Sequence, residues 1–245
     1  MNRAAILQTP EGMDVSFDPG PDSGQHAGQP ELRSDYRARL DAVDEELVTA
    51  ALSVVEAMPG VTRAFLAADD SRRDEAERRA RSVAEVCRWV EDQGFRLLAR
   101  EAPVSGDLRR LVAVLRLVHD VERSARLMSH VAAAVEQLDA RVLPEPVRQQ
   151  LEELGRRATE VLRHGIDAWR RRDGQAIHEI DRLDRSVDSV RMSLTLRAGE
   201  LDGTASDVLV LGLVARYFER LADHGVAFAE NVVFVVTGQR MGAGS

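Results

Sequence analysis

The chain reads Val118-His-Asp-Val-Glu-Arg-Ser-Ala-Arg126, and later it reads Ala215-Arg-Tyr-Phe-Glu-Arg-Leu-Ala-Asp223. Both stretches follow an apolar run, and both carry Glu-Arg at the same place. A segment that recurs in one chain indicates a duplicated structural unit, and recognising it decides how the whole fold is interpreted. The sequence therefore predicts two related halves.

Helical periodicity extends from about Leu32 to Gly238, because Leu, Ala, Val, Arg and Glu dominate and no segment shows sustained strand alternation. Turn-forming residues divide this region into six helices, and Pro59-Gly60 is expected to interrupt the first. We predict an all-α fold of two tandem three-helix bundles, with six long antiparallel helices related by internal duplication. The predicted boundaries are a disordered extension over 1–31, a first bundle over 32–141, a second over 142–238 and a flexible tail over 239–245.

Composition excludes several classes of function. The chain has 245 residues and a net charge of −8, which argues against broad nucleic-acid binding. All 33 basic residues are arginines, so neither a Schiff-base lysine nor a Gly-Lys-Ser phosphate loop is possible. The basic run over 170–172 is expected to form a solvated helix end that complements the helix dipole. The single cysteine, Cys87, cannot form an intrachain disulfide and is expected to be a small buried hydrophobe.

The sequence shows neither a membrane span nor a secretion signal, since no apolar run approaches the ~20 residues that a spanning helix needs. We therefore expect a cytoplasmic protein without direct membrane insertion, which acts at a membrane only by docking onto a partner there.

Two pairs of acids stand out in the second half. Asp184 and Asp188 lie one turn apart on the fifth helix, and Glu219 and Asp223 lie one turn apart on the sixth. On adjacent antiparallel helices these four carboxylates can converge, and carboxylates suit magnesium, manganese, calcium or iron. Alternatively, the acids are solvated or paired with nearby arginines, for which Arg185, Arg191 and Arg220 are candidates.

The histidines favour structural roles. His224 lies in line with Leu221 and Phe228 on the core stripe, which predicts a satisfied core or interface histidine. No histidine has a glutamate three residues before it, so the Glu-x-x-His feature of ferritin-like di-iron bundles is missing. No Ser/His/Asp set, glycine-rich dinucleotide loop or zinc spacing is evident either.

Three motifs resemble the PhoU family, which regulates phosphate transport and phosphate signalling. Glu101-Ala-Pro-Val-Ser-Gly-Asp-Leu-Arg-Arg110 is similar to the family segment that opens the third helix. Asp184-Arg-Ser-Val-Asp188 and Glu219-Arg-Leu-Ala-Asp223-His224 resemble its two acidic signatures. The motifs agree in order and distance over about 33–238, and the closing stretch is most like actinobacterial members.

The resemblance implies a non-enzymatic negative regulator of phosphate uptake, with a phosphate ABC transporter and a sensor histidine kinase as partners. It implies multinuclear metal sites, whose metal (iron, zinc, manganese or magnesium) is left open, and we expect a homodimer. The implied ligands are Asp184, Asp188, Glu219 and Asp223. Further candidates next to the metal are Asp120, Glu122 and Asp181.

The first repeat departs from the family pattern. Its acidic positions on the second helix align with Ala80 and Ala84, and on the third helix Glu122 is followed by Arg126. An arginine at this place would substitute for a cation by pairing with Glu122. We therefore predict metal in the second bundle only. Two other functions stay open, a carboxylate-bridged metalloenzyme such as a hydrolase and a metal-free helical adaptor.

Overall fold

The computed structural model describes residues 29–101, 103–199, 201 and 203–240, with side chains from residue 34 onward except that of residue 101. This part of the chain contains no strand, and the predicted all-α fold is confirmed. The predicted extension over 1–31 and tail over 239–245 lie mostly outside the described residues, although the first helix already begins at Gln29. The six long helices are α1 (Gln29–Leu66), α2 (Arg73–Glu101), α3 (Ser105–Ala133), α4 (Glu145–Arg171), α5 (Ile177–Ala198) and α6 (Ala205–Thr237).

The helices form two bundles that share one core. Helices α1, α2 and α3 pack on one another, as do α4, α5 and α6, which confirms the predicted pair of three-helix units. Short connections make sequential helices antiparallel neighbours. The bundles join through α3 on α6 and α1 on α4, so their buried apolar side chains merge into one cluster. None of the described helices is long and apolar enough to span a bilayer.

Helix α1 is continuous through Pro59, so the predicted interruption at Pro59-Gly60 is wrong. An internal proline removes one backbone hydrogen bond and costs about 3 kcal/mol. Pro59 itself is exposed, whereas Val55, Met58 and Val61 beside it are buried. Each buried apolar side chain contributes about 1.5–3 kcal/mol, so continued burial on both sides of the proline outweighs its cost.

Helix α6 has a defined start and end, which fixes the position of the residues along it. Thr204 and Asp207 form a capping box, in which each side chain accepts a hydrogen bond from the backbone of the other. At the other end Gly238 adopts φ 77, a left-handed conformation that favours glycine.

A buried carboxylate, Asp44 on α1, connects three helices. It is 7% exposed and accepts hydrogen bonds from Arg110 on α3, at 3.1 Å from Nε and 2.6 Å from Nη2. The indole of Trp169 on α4 also donates to it, as does Arg172, whose guanidinium lies 4.3 Å above the Trp169 ring. The expectation of a solvated basic turn over 170–172 is therefore wrong for Arg172, because its side chain folds back onto a charge from the other bundle.

Cys87 on α2 is a packing residue, as predicted. Its side chain is buried in the first bundle. Burial raises the pKa of the thiol to about 12, with smaller contributions from the negative charges of Glu122 and Glu91. The thiolate is the reactive form, so the folded protein holds this cysteine in its inert form at neutral pH.

We expect Cys87 to resist aromatic disulfide reagents in the native protein. At pH 8 a thiol with a pKa near 12 is about 2,000-fold less ionised than a free thiol with a pKa near 8.5, and burial slows its reaction further. Stopped-flow absorbance should show one rapidly reacting thiol in 6 M guanidinium chloride and a very slow reaction without denaturant. Equal rates in both conditions would contradict the buried environment.

Candidate metal centre

The packing of α5 against α6 positions the four predicted ligands. Ile180, Val187 and Leu194 of α5 are buried, and the adjoining turns of α6 bury Phe218 and Leu221. This seam brings the acidic side of each helix to the edge of the core. Asp184 is half-buried, Asp188 and Asp223 are exposed, and Glu219 is 8% exposed.

The acids of the two helices lie close enough to perturb one another. The pKa of Asp184 is raised to about 6, first by burial and then by the negative charges of Asp223, Asp188, Asp181 and Glu219. The pKa of Asp223 is also raised, by burial and by its acidic neighbours, against the opposing charge of Arg216. The negative charges of Asp181 and of the other three predicted ligands thus all act on Asp184.

Two arginines neutralise the most buried of these acids. Arg191 of α5 places Nε 3.2 Å from Oε2 of Glu219, and Arg216 of α6 forms an ion pair with the same oxygen. Glu219 therefore faces arginine and does not converge with the aspartates. Within the described residues, no three acidic, histidine or cysteine side chains are arranged to hold one ion.

The four acids are of a kind that binds a hard cation, but their side chains are not arranged around one ion. Carboxylates from two facing helices are suitable oxygen ligands, and a bound cation would relieve the part of the raised pKa of Asp184 that comes, after burial, from its acidic neighbours. Glu219 would have to leave Arg191 and Arg216 before it joined Asp184, Asp188 and Asp223. A cation at this site would therefore compete with arginine for one carboxylate.

The pairing interpretation raised from the sequence was correct for one of three arginines. Arg191 forms an ion pair with Glu219, whereas no ion pair of Arg185 or Arg220 with these acids occurs in the described part of the chain. Arg216 was missed, although it lies three residues before Glu219 on one helix face, a spacing at which opposite charges meet.

Asp120 belongs to a different place, the contact between α3 and α6. Its carboxylate lies 3.9 Å from Nε2 of His224, and Nδ1 of His224 is 2.7 Å from the Ser124 hydroxyl. That hydroxyl donates to the backbone carbonyl of Asp120. His224 is 5% exposed, and burial lowers its pKa to about 4, so it is a neutral interface histidine, as predicted.

In the first bundle, the ion pair expected in place of a metal is present. Arg126 lies 3.3 Å from Glu122, and Ala80 is buried where the family pattern has an acid. Glu122 is therefore paired within its own helix, whereas Asp181 is one of the acids that raise the pKa of Asp184.

These features define a class of protein, a helical chain of two tandem three-helix units that carries an acid-rich face on its second unit. The model of the PhoU domain matches this chain twice, over residues 47–135 and 151–232. The chain belongs to the PhoU family.

Curated relatives and solved structures agree with this assignment. The chain is 32% identical to "Phosphate-specific transport system accessory protein PhoU homolog 1" of Mycobacterium leprae, over 84% of this chain and 95% of the relative. It is 30% identical to "Phosphate-specific transport system accessory protein PhoU homolog 2" of Mycobacterium tuberculosis, over 84% of this chain and 99% of the relative. The PhoU crystal structure from Streptococcus pneumoniae has the same fold, with a TM-score of 0.77 at 20% identity, covering 84% of this chain and 99% of that one. The crystal structure of PhoU from Pseudomonas aeruginosa matches with a TM-score of 0.70 at 23% identity, covering 86% of this chain and 100% of that one.

Proposed function

We propose that this protein is a regulatory component of a phosphate transport system, which restrains phosphate uptake and phosphate-responsive two-component signalling. It acts in the cytoplasm, as a homodimer, through contacts with a phosphate ABC transporter and a sensor histidine kinase. Membership of a family whose curated members are called transport accessory proteins supports this role. A regulatory function needs binding surfaces and no catalytic set, and the sequence offers no nucleophile with a matching base.

We further propose that these contacts depend on a metal. The observation that supports it is the group of acids on α5 and α6 at the edge of the core, where burial first and then the neighbouring negative charges raise the pKa of Asp184. Asp184, Asp188, Glu219 and Asp223 would hold the ion, which is iron, zinc, manganese or magnesium. A bound cation supplies positive charge that joins the two helices and changes the charge of the face that a partner meets.

Deletion of the gene tests the regulatory role. We expect phosphate uptake, or expression of phosphate-responsive genes, to rise when phosphate is plentiful, and the unmodified gene to restore it. A copy with all four acids replaced by their amides should fail to complement at equal protein level. No change on deletion, in a strain without a second family member, would refute the proposal.

Elemental analysis of purified protein is expected to find stoichiometric metal in one bundle. The Asp184→Asn, Asp188→Asn, Glu219→Gln and Asp223→Asn combination should lose it, because amides lack the charge that attracts a hard cation. The matched control is Asp120→Asn with Glu122→Gln, which removes acids from outside this face and should keep the full amount. Loss in the control, or retention in the fourfold variant, would contradict a site in the second bundle.

Replacement of Arg216 by alanine is expected to strengthen metal binding about ten-fold, equivalent to ~1.4 kcal/mol, since it removes a cation that competes for Glu219. Competition with a fluorescent chelator measures the dissociation constant. Arg182→Ala is the control, because Arg182 lies on α5 but pairs with Glu179 and should leave affinity unchanged. Weaker binding in Arg216→Ala would mean that this arginine supports the site.

A further inference from the structure

An open groove between α1 and α2 lies near the start of α1 and has a volume of about 180 Å³. Val43 and Leu97 form its buried floor, and Trp89 forms one wall. Trp89 is 43% exposed, whereas the other tryptophan, Trp169, is fully buried. A large aromatic side chain at a partly apolar groove offers a place for a second apolar side chain to pack.

The rim of the groove is positively charged. Arg39, Arg96 and Arg100 line it, and no acidic residue is among its described lining. Neither Arg96 nor Arg100 forms an ion pair with another residue of the described part of the chain, unlike Arg72, Arg81 and Arg156. On a chain with a net charge of −8, this groove favours an acidic occupant with apolar side chains.

The chain contains such an occupant before α1. Residues 13–18 read Met-Asp-Val-Ser-Phe-Asp, so Val15 and Phe17 alternate with Asp14 and Asp18. The segment therefore combines apolar side chains, which suit the floor of the groove, with carboxylates, which suit its basic rim.

The chain is long enough to bring this segment to the groove. Arg39 lies on the third turn of α1, about 15 Å from the first residue of that helix. The residues between Asp18 and Gln29 extend up to ~36 Å, and Pro19-Gly20-Pro21 permits the chain to reverse direction. Tethering at this length gives an effective concentration of the order of 1 mM, so a contact with a dissociation constant below about 1 mM is mostly occupied.

We propose that residues 13–18 dock in this groove, with Phe17 packed on Trp89 and with Asp14 and Asp18 facing Arg96 and Arg100. The segment then covers, within one molecule, the exposed aromatic wall of the first bundle. A partner that displaces it gains access to the groove.

Acrylamide quenching of tryptophan fluorescence in the full-length protein tests the docking. Only Trp89 is accessible to the quencher, so Phe17→Ser should raise the quenching constant about two-fold as the docked fraction falls. Leu7→Ser is the matched control, since it removes an apolar side chain from the same stretch outside residues 13–18. Trp89→Phe should abolish the quenchable signal, and circular dichroism checks that each variant keeps its helix content.

Charge reversal provides a second, independent test. Asp14→Arg with Asp18→Arg should expose Trp89 as Phe17→Ser does, and adding Arg96→Asp with Arg100→Asp should restore its protection. Glu11→Arg with Asp22→Arg makes the same change of net charge outside the segment and should have no effect. Unchanged quenching in Phe17→Ser, or an equal rise in either control, overturns the proposal. Protection that increases with protein concentration also overturns it, because a second copy would then cover the groove.

Discussion

Replacement of Asp44 by alanine is expected to lower the free energy of unfolding by about 3–5 kcal/mol, because it removes the buried carboxylate that two partly buried arginines share. Arg110 and Arg172 both donate to this carboxylate, and Trp169 would keep a buried indole N–H without an acceptor. The donors come from α3, from α4 and from Arg172 at the end of α4, so the loss weakens the contact between the bundles as well as the first bundle. Urea unfolding followed by circular dichroism measures the change.

Asp41→Ala is the matched control. Asp41 lies one turn earlier on α1 and also pairs with Arg110, but its side chain is 56% exposed. Solvent-exposed ion pairs contribute about 0–1 kcal/mol, so this variant should remain close to the unmodified protein. Similar losses of unfolding free energy in both variants would show that burial of Asp44 is not the reason for its contribution to stability.

Replacement of either Gly165 or Gly225 by alanine is expected to destabilise the second bundle by about 3 kcal/mol or more, beyond the usual cost of overpacking. Helices α4 and α6 cross at these glycines. A Cβ added at Gly165 would lie 2.1 Å from the backbone oxygen of Gly225, and one added at Gly225 would lie 2.5 Å from that of Val161. Backbone atoms cannot rotate away as a side chain can, so the helices must separate.

Gly212→Ala separates this effect from ordinary helix propensity. Gly212 is an exposed residue of α6, and an added Cβ meets nothing within 4 Å. Alanine is favoured over glycine in a helix by about 0.8–1.0 kcal/mol, so this variant should be more stable than the unmodified protein. Thermal melts of the three variants give the comparison, and a stabilised Gly165→Ala or Gly225→Ala would contradict the close crossing.

The sequence alone was sufficient to predict the helical architecture of two related halves. The recurring Glu-Arg segments predicted two related halves, and the spacing of apolar residues and turn-formers predicted six helices, because both signals are local or repeat along the chain. The acid pairs of α5 and α6 were also visible, since residues four apart on a helix share a face. Their function as metal ligands stays a prediction.

Side-chain partners that are distant in sequence were decided by the tertiary structure. Packing of α1 carried the helix through Pro59, and the contact between bundles turned Arg172 from a solvated helix end into a partner of Asp44. The packing of α5 on α6 likewise brought Arg191 to Glu219, which also forms an ion pair with Arg216 on its own helix. Periodicity determines which face of a helix is buried. A buried charged group needs an oppositely charged partner, and neighbouring helices supply it. Only the three-dimensional arrangement of the helices determines which residue becomes that partner.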